Sequence, residues 1–406
     1  MTIPFRRRNR LSGRITLKST NASFSAASQA APPARLEASA SPKPFLQRML
    51  LSEYFVLYLT GACFTVAALF FPALLDPRNI SNQLSNVWPL LVVAIGQTFV
   101  VVIAGIDLSL GATMGLASVA GAVAMTSAAD KLLLGGSPLW GTLLTEHGGM
   151  LAGHPLATTA GVCTMLLVGM LVGLLNGVFI ARFNLPPFMM TLVSLMFFSS
   201  AAIWITQSQN IVNLPGAFTR LGSGDIVSLY FGEKPTPEIK RRDILPFVTY
   251  PMLIALTMAL VAHFLLSRTV FGRHVYAIGN NVRTAHISGV PVRRTIVLVY
   301  MIAGFCAAVA AILYSARLAG GRPTIGGGSA LLDIIGATVI GGTSLAGGKG
   351  KVTWTVVGVL FFVLLSNTLN YMRLSAFHID VVKGAIILAA SLLDVLRTRL
   401  VAGEQR

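Results

Sequence analysis

The stretch TIVLVYMIAGFCAAVAAILYSA, residues 295–316, contains no charged side chain, and that absence decides the fold. A helix of about 20 apolar residues crosses the hydrocarbon core of a bilayer. Within that core the backbone satisfies its own polar groups, which a single segment does only as a helix. Runs of the same kind recur at 54–75, 88–104, 110–128, 157–181, 187–206, 245–266, 329–345, 352–370 and 378–396. With 295–316 they predict an all-α integral membrane protein of about ten transmembrane helices. The third and eighth runs are short and rich in glycine.

Composition supports this reading. Of 406 residues, 54% are hydrophobic and 11% charged, and the mean hydropathy is +0.74. Ordinary soluble domains are about 25% charged, so a soluble enzyme, a disordered chain and a fibrous protein are all excluded. The net charge is +17, with a pI near 10.5. Such basicity also suits nucleic acid, but the charges lie between apolar runs, where orientation signals sit, so no nucleic-acid partner is expected. With the N-terminus inside and the spans alternating, inside segments hold roughly twice the Lys and Arg of outside ones. Both termini are then cytoplasmic. Lys240, Arg241 and Arg242, near an outer end, run against this assignment.

The chain divides into three parts. Residues 1–50 form a basic tail rich in Ser, Ala, Pro and Arg, expected to be disordered. Residues 51–400 form the membrane domain, and 401–406 a short cytoplasmic tail. Cys63, Cys163 and Cys306 fall in apolar runs and read as small buried residues. No metal, cofactor or catalytic residue is expected: there is no Cys/His cluster of zinc spacing and no catalytic constellation. Glu146, His147 and His154, in the outer loop 129–156, read as solvated side chains.

Three segments carry mechanism. The first is AGIDLSLGATMGL, residues 104–116. It is either a short loop, with Asp107 capping the next helix near Ser109, or a broken helix beside a transport path; both readings are compatible. The second is SRTVFGRHVYAIGNNVRTAHISGVPVRRT, residues 267–295, with five arginines and no acid. It predicts a short amphipathic helix, with turns at Gly279 and Gly289. It is either a headgroup-touching loop or a docking surface for a cytoplasmic partner. The third is LLDIIGATVIGGTSLAGGKGKVTWTVVG, residues 331–358. A phosphate-binding loop requires Gly at 343 and Ser or Thr after the lysine; the chain has Thr343 and Gly350, so it lacks an ATPase motif. Glycine-rich breaks near 105–111 and 341–348 point to two pseudo-symmetric halves. Lys383 follows Asp380 by three residues and reads as a structural pair.

In order along the chain, these motifs resemble the permease subunits of bacterial ATP-binding-cassette (ABC) importers for ribose, xylose and galactosides. GIDLSLG (105–111), GLLNGVFIARFNLPPFMMTL (173–192), TVFGRHVYAIGNN (269–281), LLDIIGATVIGGTSLAGGKG (331–350) and VVKGAIIL (381–388) carry the resemblance. Leu331 departs from the family's Glu, and Ser199-Ser200 from its frequent Arg-Gly. The resemblance implies an inner-membrane, multi-pass permease paired with a second permease, identical or paralogous. It also implies cytoplasmic ABC ATPase subunits and a periplasmic sugar-binding protein. Residues 267–294 would be the coupling loop, with Phe271, Gly272, Arg273, Tyr276, Ala277, Gly279 and Asn281 as its typical positions. Asp107, Ser109, Asn176, Phe188, Thr191, Thr343 and Ser344 would lie on or near the path of a monosaccharide or polyol. The rival class is an ion- or proton-coupled secondary sugar transporter, for which Asp107, Asp333, Asp380 and Lys383 are the available coupling groups.

Overall fold

The computed structural model describes residues 54–230 and 244–403. The tails 1–50 and 404–406, and Lys240, Arg241 and Arg242, lie outside the described residues. The chain runs through α1 (Phe55–Phe70), α2 (Pro77–Val102), α3 (Leu110–Met125), α4 (Lys131–Leu134), α5 (Ala157–Phe183), α6 (Pro187–Thr206) and α7 (Gly216–Ser223). Strands β1 (Asp225–Tyr230) and β2 (Ile244–Thr249) pair antiparallel. Then follow α8 (Tyr250–Arg268), α9 (Val270–Asn280), α10 (Val282–Ile287), α11 (Val292–Arg317), α12 (Ala330–Ile340), α13 (Val352–Tyr371) and α14 (Ala376–Gly403).

Seven of these helices are long and apolar enough to cross a membrane, and α1, α3 and α12 are shorter apolar helices. Each of the ten predicted spans therefore has its helix, with shifted ends. The second helix starts at Pro77, well before 88, because Asp76 caps it by accepting the Arg78 N–H at 2.8 Å and Pro77 occupies its first turn. Its polar first half hides it from a hydropathy reading. The run 245–266 begins as strand: β2 lasts to Thr249 and the helix opens at Tyr250-Pro251. The run 329–345 ends early, at Ile340, where Gly342 takes φ +80°.

The core is helix on helix. Helix α3 is buried on nearly every side, and α11 buries most of its length against α2, α3 and α5. A helix buried all round is apolar all round, which is how LGATMGLASVAGAVAM reads. Its small residues let backbone approach: a Cβ on Gly111 would lie 2.0 Å from the Gly326 carbonyl oxygen.

That contact exposes a feature the sequence reading placed in an outer loop. Residues 321–326 run beside α3, from Gly321 against Ala122 to Gly326 against Gly111. Over that stretch α3 rises about 16 Å, half the hydrocarbon core. The eighth crossing is therefore a non-helical segment with turns at 322–325 and 324–327, then the short helix α12. Its polar backbone is tied to α3: the Arg322 N–H donates to Ser118 Oγ at 2.9 Å. Non-helical backbone at that depth requires surrounding protein, and α3 supplies it.

Candidate functional site: the two breaks and the helix that joins them

Three chain segments meet at one end of the bundle. The first is the break after α2. Ala104 adopts left-handed φ 60°, and the Gly105 N–H returns to the Val100 carbonyl at 2.9 Å. The chain then turns through Asp107 into α3. Asp107 Oδ1 accepts the Ser109 N–H at 2.8 Å and the Ser109 hydroxyl at 2.6 Å. Ser109 is itself the N-cap of α3, and its side chain makes no cap bond. Asp107, two residues earlier, holds that N-cap residue rather than the helix's own first N–H groups, so the expected cap is displaced.

A directed chain of donors ends on that carboxylate. The Ser194 hydroxyl donates to Asn176 Oδ1, Asn176 Nδ2 donates to Ser109 Oγ at 2.8 Å, and Ser109 passes its hydrogen to Asp107. The single hydroxyl hydrogen of Thr191 is shared between the Pro187 carbonyl of its own helix, at 2.9 Å, and the Ile106 carbonyl, at 3.1 Å. All five residues are buried. The chain stitches α5 and α6 to the break, and aligned bonds in a low-dielectric interior polarise one another. Asp107, Ser109, Asn176 and Thr191, singled out separately in the sequence, form one unit. Ser194 went unremarked there, although it lies three residues after Thr191, on the same helix face.

The second break lies between α12 and α13. Gly342, Gly347 and Gly348 have φ of +80°, +84° and +72°. Ser344 donates its N–H to the Lys349 carbonyl at 3.1 Å, closing a tight loop. The Gly348 N–H donates to the Val102 carbonyl at 2.9 Å, so the loop is pinned to the last residue of α2. Thr343 and Ser344 are buried here. The Phe188 side chain is 53% exposed on the surface of α6, while its backbone carbonyl lies 3.3 Å from the Thr191 hydroxyl.

The third segment is α9. Thr269 caps it by accepting the Gly272 N–H at 3.2 Å. Gly272, Val275, Ile278 and Gly279 form its buried face, an i, i+3, i+6, i+7 stripe. Gly279 is not a turn, contrary to expectation: it sits in the last helical turn, where a Cβ would lie 1.9 Å from Val102 O and 2.6 Å from Gly348 N. Only glycine permits that approach. The Tyr276 hydroxyl donates to the Gly350 carbonyl at 2.6 Å, and burial raises the phenol pKa, keeping it a neutral donor. Phe271 stacks on Phe99 of α2, with ring centroids 6.3 Å apart. Ala277 is partly buried, while Arg273 and Asn281 face outward; Asn281 Oδ1 caps α10 by accepting the Thr284 N–H at 3.0 Å. Gly289 is a turn, at φ +80°. The outer face of this hairpin shows Arg273, Arg283 and the exposed apolar Val282 and Ile287.

Two further groups complete the geometry. Lys383 on α14 is buried, and its Nζ lies 2.7 Å from Asp333 Oδ1 on α12. The structure therefore replaces the expected Asp380 partner with Asp333, because α12 packs directly on α14. Arg322 Nε is buried without a hydrogen-bond partner among the described residues. The run GGRPTIGGG around it, poor in helix formers, is a signal for the non-helical segment.

Residues 79–391 match a family model described as branched-chain amino acid transport system/permease component. The chain is 34% identical to the ribose import permease protein RbsC of Bacillus subtilis, over 80% of its own length and 86% of that protein's. It is 30% identical to the xylose transport system permease protein XylH of Haemophilus influenzae, over 79% and 90% of the two chains. The ribose import permease protein RbsC of Escherichia coli is also 30% identical, over 78% and 85%. No solved structure matches the chain. The chain belongs to this family of transport-system permease components and is a multi-pass membrane protein.

Proposed function

We propose that this chain is the membrane-spanning permease subunit of an ABC importer for a monosaccharide or related polyol, without an energy source of its own. Its named relatives serve ribose and xylose, and the hydroxyl and amide groups around Asp107 suit a polar, uncharged cargo. Cytoplasmic ATPase subunits dock on the 267–294 hairpin. A periplasmic binding protein delivers the sugar to the other end, beside a second permease chain. Both termini then lie in the cytoplasm, and 51–400 is the permease domain.

One observation carries the reading. Helix α9 touches both breaks at once, through Gly279 and Tyr276, while its outer face stays open with arginine and apolar side chains. A force applied to that face reaches both discontinuous segments without an intermediary. A secondary transporter has no use for such an element.

The test is reconstitution. Proteoliposomes holding this chain alone take up no sugar with ATP inside, and adding the ATPase and the binding protein produces uptake. Accumulation by the chain alone under a proton gradient overturns the proposal and favours the secondary transporter.

A further inference from the structure

The last turn of α5 and the first turn of α11 flank a groove of about 550 Å³. Ala181, Val297 and Leu298 form its apolar floor, and Arg182, Arg293 and Arg294 its rim. The floor continues along α5 as an exposed apolar stripe: Leu167, Leu171, Leu175 and Val178, spaced i, i+4, i+8, i+11 on one helix face.

The three arginines are exposed, and among the described residues none is in an ion pair. Arg293 and Arg294 occupy the first turn of α11, which contains no acid. A helix start carries positive partial charge of its own, so this cluster has no counter-charge within the described chain. An anion from outside must supply it. The stripe below the arginines lies within the apolar crossing of α5, where the neighbouring medium is hydrocarbon. An acidic protein surface would meet the arginines but leave the floor and stripe to another occupant. A zwitterionic lipid would bring a cation beside its phosphate. An anionic glycerophospholipid meets both demands: its phosphate faces the arginines and an acyl chain follows the stripe. The volume lies in the range of small-molecule sites, and basic pockets between crossings bind acidic headgroups.

We propose that the α5–α11 groove is a binding site for one anionic glycerophospholipid, held by Arg182, Arg293 and Arg294.

Native mass spectrometry of the full-length chain, after equilibration with equal amounts of phosphatidylglycerol and phosphatidylcholine, tests this. The wild type retains phosphatidylglycerol preferentially, and each arginine removed lowers retention about fivefold. The R182Q/R293Q/R294Q variant loses the preference. Leu298→Trp fills the groove, leaves every charge in place, and lowers retention too. It decides the matter if the triple variant fails to insert. Equal retention of the two lipids by the wild type overturns the proposal, as does phosphatidylglycerol binding unaffected by Leu298→Trp. So does a triple variant that keeps its lipid and instead loses its ATPase partner, which would assign the arginines to a protein interface.

Discussion

The carbonyl oxygen of Val102 accepts the Gly348 N–H at 2.9 Å and lies where a Cβ on Gly279 would have to go. One carbonyl thus joins the end of α2, the loop after α12 and the helix α9. The two breaks are far apart in sequence, yet they pack against a single helical turn.

Gly279→Ala pushes a methyl group into two backbones rather than into flexible side chains. Overpacking of this kind costs about 1–3 kcal/mol. The variant is expected to insert normally, melt at lower temperature in detergent, and lose coupled uptake. Unchanged melting and uptake would show that the contact yields freely.

Tyr276→Phe keeps the ring and removes the hydrogen bond to Gly350. The expected cost is about 1 kcal/mol, too small to unfold the chain. Sugar moved per ATP hydrolysed should fall while ATPase binding holds. A parallel loss of both would mean that Tyr276 only supports docking.

The buried chain ending at Asp107 discriminates between substitutions at Asn176. Asn176→Leu leaves Ser194 and Ser109 each short of a partner and costs about 1–3 kcal/mol. Asn176→Asp sets a second carboxylate beside a buried chain that already ends in one, and should be worse. Thermal denaturation of the two variants gives the order, and a reversal would mean that water enters the chain.

Lys383→Met strands the Asp333 charge, and Asp333→Asn strands the lysine. Breaking one side of a buried pair costs about 3 kcal/mol or more, whereas replacing both is often nearly neutral. The double variant is therefore expected to be more stable than either single variant. Additive losses in a double-mutant cycle would contradict a direct pair.

Much of this architecture was legible in the sequence, for a physical reason. Apolar runs such as 295–316 have one viable structure in a bilayer, so each predicted crossing has its helix. The start of α2 was hidden because Asn79, Ser81, Asn82 and Gln83 carry no apolar signal, while the cap at Asp76 acts locally. The non-helical segment at 321–326 reads as an outer loop because its glycines and turns carry no sign of depth until α3 is seen beside them. The grouping of Asp107, Ser109 and Asn176 depends on long-range packing of α3 and α5, which local spacing does not encode. Lys383 illustrates the same limit: the nearest acid in sequence is Asp380, the nearest in space Asp333.

Site-directed crosslinking from Arg273 tests the central claim most directly. In membranes containing the assembled importer, Arg273→Cys is expected to crosslink to the ATPase subunit, with a yield that changes when ATP binds. It should also be labelled by thiol reagents only from the cytoplasmic side. Labelling from the periplasmic side, or an Arg273→Cys that never reaches a nucleotide-hydrolysing partner, would contradict the account.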